Sequence, residues 1–200
     1  MIKACPKDKD HILDLLTYAF EENLSVKDVV KSRGNYWENI YALMNYAYNI
    51  CSVYGKIFLS EDKKSCALLL FPDQKKNTIK TRFWELKLIL GGIGVSNVNK
   101  VLTRQKFLDS ILPHTTEQPP MYLWLLGVKP ENQFSGAGTA LLKDLLEYSE
   151  EKGRAIYLRT SVDRNVDFYK KFGFQVYKKL DVGYPLSFLW KAVSVKQQIA

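Results

Sequence analysis

The chain is poor in the side chains that hold metals and disulfides. Its 200 residues include three cysteines, Cys5, Cys51 and Cys66, and two histidines, His11 and His114. The cysteine number is odd and no Cys-x-x-Cys spacing occurs, which argues against a disulfide framework and against a zinc site. No metal is expected, and a reducing cytoplasm is the expected compartment. Long apolar runs are also missing. The segment Met1 to Asp10 lacks the apolar core of a signal peptide, and Leu86 to Val95, the most hydrophobic later stretch, is too short and too broken by glycine to span a bilayer. No membrane insertion is expected. The chain has no internal repeat, low-complexity tract or Ser/Gly linker, so residues 1–200 are expected to form a single domain.

Acidic residues are outnumbered, with Asp+Glu at 21 against Lys+Arg at 29 and a net charge of +8. No recognised nucleic-acid motif accompanies this excess, so nucleic acid is not an expected partner. Arg154, Arg159, Arg164, Lys170, Lys171, Lys178 and Lys179 crowd one region of the chain. Positive potential there favours a polyanionic ligand, with a solvated cationic face as the plainer alternative. Hydrophobic residues at 46% and charged residues at 25% are globular values, and the length is enough to bury a substantial core.

The most informative segment is Gln133-Phe134-Ser135-Gly136-Ala137-Gly138. An apolar run of strand length, 121 to 128, precedes it, with Lys129 to Asn132 as a turn. Thr139 to Lys152 follows with helical spacing of Ala140, Leu141, Leu142, Leu145, Leu146 and Tyr148. Glycines where a loop enters a helix let backbone approach a ligand, and first-turn amides bind phosphate. Three grammars compete for these residues. A Walker loop requires Lys-Ser or Lys-Thr after its last glycine, whereas Gly138 is followed by Thr139 and Ala140. A dinucleotide fingerprint requires a small residue where Leu141 stands and an acidic residue after the next strand, which closes with Arg159-Thr160. The third pattern, Gln/Arg-x-x-Gly-x-Gly/Ala between strand and helix, fits.

Here the chain resembles the Gcn5-related N-acetyltransferases (GNAT), which bind acetyl-coenzyme A in this way. A second segment strengthens the likeness: Asn165, then Phe168-Tyr169, then Gly173-Phe174, at the separations the family displays. Leu158-Arg159-Thr160-Ser161 with Arg164-Asn165 is similar to the subgroup containing puromycin N-acetyltransferase. The resemblance covers roughly residues 120 to 178. Phe134 and Ser135 depart from it, since many members place Gly-x-Gly directly after the Gln.

The resemblance implies an α+β, three-layer acyl-CoA N-acyltransferase fold, with a mixed, mostly antiparallel sheet flanked by helices. It implies an enzyme that transfers an acetyl group from acetyl-CoA, the cosubstrate, to a primary amine, as a monomer or homodimer. The loop residues Gln133, Phe134, Ser135, Gly136, Ala137, Gly138 and Thr139 would hold the cofactor pyrophosphate. Amides of Leu126 and Val128 would hold the pantetheine arm, helped by Asn165 and Tyr169. Tyr169 would be the general acid to the leaving thiolate, against a plainer reading as a packed aromatic beside Phe168 and Phe172. A base is harder to assign. His114 is the best single candidate because its ordinary pKa of about 6.5 suits the task, although a solvated loop histidine is the plainer reading. Glu117, carboxylates of the N-terminal half and water are alternatives. Tyr36, Trp37, Tyr41, Tyr46 and Tyr48 lie at helical spacing and read first as core, second as an acceptor pocket. A non-catalytic acyl-CoA sensor is the competing function.

Element by element, the pattern predicts a strand at 2–4, helices at 8–22 and 35–51, and a hairpin of strands at 53–60 and 65–71. Residues 77–112 contain two apolar-periodic stretches, 79–90 and 97–112. They predict a helical insertion between strands 3 and 4, since so long a stretch without structure is improbable in a compact domain. Strands are predicted near 155–160, 175–180 and 187–193.

Overall fold

The computed structural model describes residues 1–31, 34–111, 113 and 118–194. Strand β1 (Ile2–Lys3) is followed by α1 (Lys9–Phe20), α2 (Leu24–Val29) and α3 (Tyr36–Tyr54). The hairpin β2 (Gly55–Leu59) and β3 (Ser65–Leu70) precedes α4 (Ile79–Leu88) and α5 (Val98–Asp109), which are joined by a π-helical turn at Ile89–Ile93. Then come β4 (Met121–Val128), α6 (Ala137–Lys152), β5 (Ile156–Thr160), α7 (Asp163–Lys170), β6 (Gln175–Asp181) and β7 (Pro185–Lys191). The strands form one sheet in the order β1-β2-β3-β4-β5-β7-β6. Every neighbouring pair is antiparallel except β4 and β5.

Two apolar layers cover the sheet, following the alternation of side chains along each strand. Ile57, Leu59, Leu68, Leu70, Tyr122, Leu125 and Tyr157 pack with α1 and α3. Phe58, Ala67, Leu69, Met121, Leu123, Ile156 and Leu158 pack with α6 and α7. Helix α6 buries Leu141, Leu142 and Leu145, each contributing about 1.5–3 kcal/mol relative to exposure. Leu108 of α5 packs in a third cluster with Tyr184, Leu186 and Phe188, so the insertion reaches the β6–β7 end of the sheet.

Local chemistry sets the helix starts. The Asn35 side chain accepts from the amides of Trp37 and Glu38, capping α3, and Thr78 and Thr81 form a reciprocal capping box at α4. Several boundaries differ from the sequence pattern. Val53 and Tyr54 belong to α3, not to a strand, because Tyr54 is buried in the α1–α3 layer. The strand begins only at Gly55, where an added Cβ would lie 1.9 Å from the Leu69 carbonyl oxygen. Helix α6 starts at Ala137 rather than Thr139, which places Gly138 inside its first turn. The short helix α2 carries a single buried residue, Val26, and the apolar pattern does not predict it.

Candidate active site

Strands β4 and β5 pair only through Met121–Ile156 and Tyr122–Tyr157. Beyond this point β5 pairs with β7 alone, and β4 runs on through Val128 paired only with β3. One edge of β4 from Leu123 onward is therefore open. The cause lies in β4 itself: Leu68 pairs with Leu125 and Leu69 with Leu123, so Trp124 is an extra residue, a β-bulge that bends the strand. Leu126 and Val128, both half-buried, lie on this splayed segment. Gly127 points the other way, where an added Cβ would lie 2.9 Å from Leu16 and 3.1 Å from Leu15, so α1 presses directly on the strand.

The turn after β4 delivers the glycine-rich segment to the same end of the sheet. Gln133 donates its amide to the Pro130 carbonyl, and the Ser135 hydroxyl donates to the Asn132 carbonyl at 2.7 Å. Phe134 takes a positive φ of 63° with its ring 94% exposed, so the bulky residue stands outside the loop. Gly136, at φ 88°, is the N-cap of α6. Left-handed backbone of this kind favours glycine. Helix α6 has no side-chain cap, and the amides of Gly138 and Thr139 meet no acceptor among the described residues; that of Ala137 makes a long 3.4 Å bond to Ser135 Oγ. The buried Ser65 hydroxyl donates to the Ala137 carbonyl at 3.2 Å and pins this end of the helix to β3. At Gly138 an added Cβ would lie 3.0 Å from Val128 Cγ2, so glycine lets the helix start lie against β4. These open amides and the positive helix end fit a diphosphate.

Asn165 and Tyr169 lie one turn apart on α7, and Asn165 Nδ2 donates to Thr160 Oγ1 at 3.5 Å. Tyr169 is buried, with its ring edge-on to Phe168 at 5.2 Å and to Phe174 at 5.3 Å. It shares an apolar cluster with Leu123 and Leu141, with Leu126 packed alongside, so α7, β4 and α6 converge there. Its hydroxyl makes no hydrogen bond to the described residues. Desolvation pushes the phenol pKa up, keeping it protonated at neutral pH. The Ser161 hydroxyl, at the end of β5, is buried without a partner among the described residues. The Thr160-Ser161 pair is the signal that marks this position in the sequence.

On the opposite face of the sheet, Tyr122 stacks on Tyr157 at 4.8 Å and on Trp124 at 6.3 Å, and Tyr46 meets Trp124 edge-on at 6.1 Å. Arg159 lies over Tyr122, donates to its hydroxyl at 3.0 Å and pairs with Asp109 at 3.2 Å. A cavity of about 280 Å³ opens between α3 and α4, with Tyr41, Tyr46, Trp84 and Leu88 in its lining. Of the aromatic set on α3, Tyr41 and Tyr46 face this cavity, whereas Tyr48 is buried in the core.

Two of the cations assigned to the ligand region are corrected by the structure. Arg154 donates to Asp73 and to the Pro119 carbonyl and stacks on Phe71, and Arg159 is taken up by Tyr122 and Asp109. Both were signalled only by charge, and the long-range partners that engage them leave no local pattern. Arg164, Lys170 and Lys171 are exposed on or beside α7 and make no ion pair among the described residues. His114 and Glu117 lie outside the described residues. No group of three or more His, Cys, Asp or Glu side chains suited to a metal occurs among the described residues.

The sheet order, the splayed β4–β5 pair and the glycine-led helix define the GNAT acyltransferase fold, with helices on both faces of a mixed, mostly antiparallel sheet. The model of the acetyltransferase (GNAT) family matches residues 87–174, from the last turn of α4 to the residue before β6. The probable N-acetyltransferase san of Drosophila melanogaster is 29% identical over 69 residues. That match spans 32% of this chain and only 38% of the length of that protein. A solved structure of histone acetyltransferase HPA2 and related acetyltransferase from Corynebacterium glutamicum superposes with a TM-score of 0.72 at 18% identity, covering 98% of this chain and 97% of that one. Arylalkylamine N-acetyltransferase 2 from Aedes aegypti superposes with a TM-score of 0.63 at 14% identity, covering 96% and 98%. At these identities the likeness to solved structures is one of fold.

Proposed function

We propose that the chain is a GNAT-type N-acetyltransferase that moves an acetyl group from acetyl-coenzyme A to a primary amine of a small molecule. The observation that carries this reading is the convergence of an open β4 edge, uncapped amides at the start of α6 and a tyrosine hydroxyl on α7 without a partner among the described residues. When bound, acetyl-coenzyme A supplies the thioester carbonyl that the amine attacks. Residues 133–139 would bind the diphosphate through their amides, with Arg164, Lys170 and Lys171 adding positive potential. The open edge of β4, at Leu126 and Val128, would orient the arm and polarise the carbonyl through main-chain donors. Tyr169 would donate its hydroxyl hydrogen toward the sulfur as charge develops, and Asn165 would bond the arm beside it. Burial keeps Tyr169 protonated at neutral pH, so its hydroxyl hydrogen is available to the leaving sulfur. A base such as His114, or water, would take the proton of the incoming ammonium.

The stretch from Leu158 to Asn165 supports the subgroup similar to puromycin N-acetyltransferase, without carrying over that substrate. The cavity between α3 and α4, joined to the bulge through Tyr46 and Trp124, is the proposed acceptor side. The test is thiol release from acetyl-coenzyme A in the presence of a panel of amines, alongside calorimetric titration with coenzyme A. Amine-dependent release supports the reading. Binding without release for any amine would leave an acyl-coenzyme A sensor, and no binding at all would overturn both.

A further inference from the structure

We propose that the outer face of α4 docks the protein on an anionic lipid surface, independently of the acyl-transfer reading. At 3.6 residues per turn, Ile79, Phe83 and Leu86 fall within an arc of about 60°, and Leu90 in the following π-turn continues the line. These side chains are 89%, 53%, 52% and 61% exposed. The same helix meets its fold with the opposite side, where Thr81 and Leu88 are buried and Trp84 packs on the α1–α3 layer. Helix α4 is thus apolar on two opposite faces, and the fold uses only one of them.

Cations border the unused face. Lys80 and Lys87 flank it on one side and Arg82 on the other, all exposed and without ion-pair partners among the described residues. Lys75 and Lys76 precede the helix and are also exposed. The acidic residue of α4, Glu85, is half-buried on the inner side. Lys87 Nζ lies 4.7 Å from the centre of the Phe83 ring, and Lys80 Nζ lies 5.1 Å from that of Trp84. Both ammonium groups thus sit over aromatic rings at the border of the face, exposed and without an ion-pair partner among the described residues, which keeps positive charge beside the apolar stripe.

This pattern selects among occupants. A second copy docked through a two-fold axis would set Lys80, Arg82 and Lys87 against the same cations of its partner. One helix about 15 Å long also offers far less than the roughly 800 Å² per partner of a stable protein interface. A lipid surface needs no complementary shape. It accepts an apolar stripe to a depth of about 5–10 Å and attracts flanking Lys and Arg when its headgroups are anionic. No helix of the described residues is long and apolar enough to cross a membrane, so this docking is peripheral. The net charge of +8 favours it.

The test is sedimentation of the full chain with vesicles of phosphatidylcholine alone and of phosphatidylcholine mixed with phosphatidylglycerol. The expected result is binding to the mixed vesicles only, weakened by salt, and weakened at least about tenfold by Phe83→Glu with Leu86→Glu and by Lys80→Glu with Lys87→Glu. All four side chains are exposed, and an unchanged melting temperature verifies that the fold survives. Absence of binding to the mixed vesicles, or equal binding by wild type and the Phe83/Leu86 variant, overturns the proposal. A dimer in light scattering that the same variant dissociates, with no lipid binding, assigns the face to a second copy instead.

Discussion

At the scale of single residues, Tyr169 is the sharpest test of the chemistry. Its ring is packed on Phe168 and Phe174, so Tyr169→Phe keeps the packing and removes only a hydroxyl without a partner among the described residues. Stability should stay within about 0.5 kcal/mol. Turnover should fall by about 10²-fold or more, with the affinity for acetyl-coenzyme A nearly unchanged, as measured by thiol release and titration. Equal turnover in both proteins would remove Tyr169 as the acid. Because desolvation raises this phenol above its ordinary value, the wild-type rate profile should show no falling limb from Tyr169 below about pH 10. Gly136 tests the loop separately. An added Cβ there meets nothing within 4 Å, so Gly136→Val acts through its left-handed backbone, at a cost of about 1–2 kcal/mol. If the loop relaxes to avoid that cost, coenzyme A affinity should drop about tenfold in calorimetry; unchanged affinity would dissociate the loop from the ligand.

At the scale of elements, α5 is held to the rest of the fold by polar ties. Asp28 of α2 pairs with Lys100 and with Arg104, and Arg104 also donates to the Tyr184 hydroxyl and stacks on its ring. Asp28→Ala would leave the mostly buried Arg104 guanidinium without its carboxylate and should lower the stability by about 1–3 kcal/mol, read as a shift in the urea midpoint. A midpoint equal to wild type would show that the tie is not stabilising. The helices α4 and α5 are legible from apolar periodicity, and β4 from its uninterrupted apolar run. What the sequence leaves hidden has a physical pattern. The Trp124 bulge is invisible inside that run, because register is fixed by pairing with β3. The pairing of Arg159 with Asp109 spans 50 residues and has no local signature. The helix α2 is short, and the Asn23 side chain that caps it through Ser25 and Val26 is a signal that apolar spacing alone does not weigh. In the candidate site, the glycine loop and α7 announce themselves because backbone conformation and close packing demand particular residues. The cations do not, since charge alone does not reveal its partner.

At the scale of the whole molecule, the buried tyrosines should make stability fall at alkaline pH. The chain has 12 tyrosines, and desolvation raises the pKa of several, Tyr46, Tyr157 and Tyr169 strongly and Tyr177 to about 12. A phenol whose folded pKa is raised contributes stability that is complete below its unfolded value of about 10 and is lost as pH rises through the folded value. Each such group can remove up to about 1.4 kcal/mol per pH unit in that window. On the acid side, the Lys63 ammonium and the Cys5 amide hold Asp8 well below the usual carboxylate range, so its contribution is present above about pH 4 and lost on further acidification. The melting temperature should therefore be level near neutrality and fall above about pH 10. The wild-type slope sums over every group and does not by itself isolate the phenols. Tyr157→Phe does, because the Tyr157 hydroxyl makes no hydrogen bond among the described residues and its ring stacks on Tyr122. The variant should match wild type at pH 7 in urea unfolding and lose less stability than wild type between about pH 10 and 11. Parallel curves would mean that Tyr157 is solvated enough to ionise in the folded protein, and that the aromatic floor beside Trp124 is open to water.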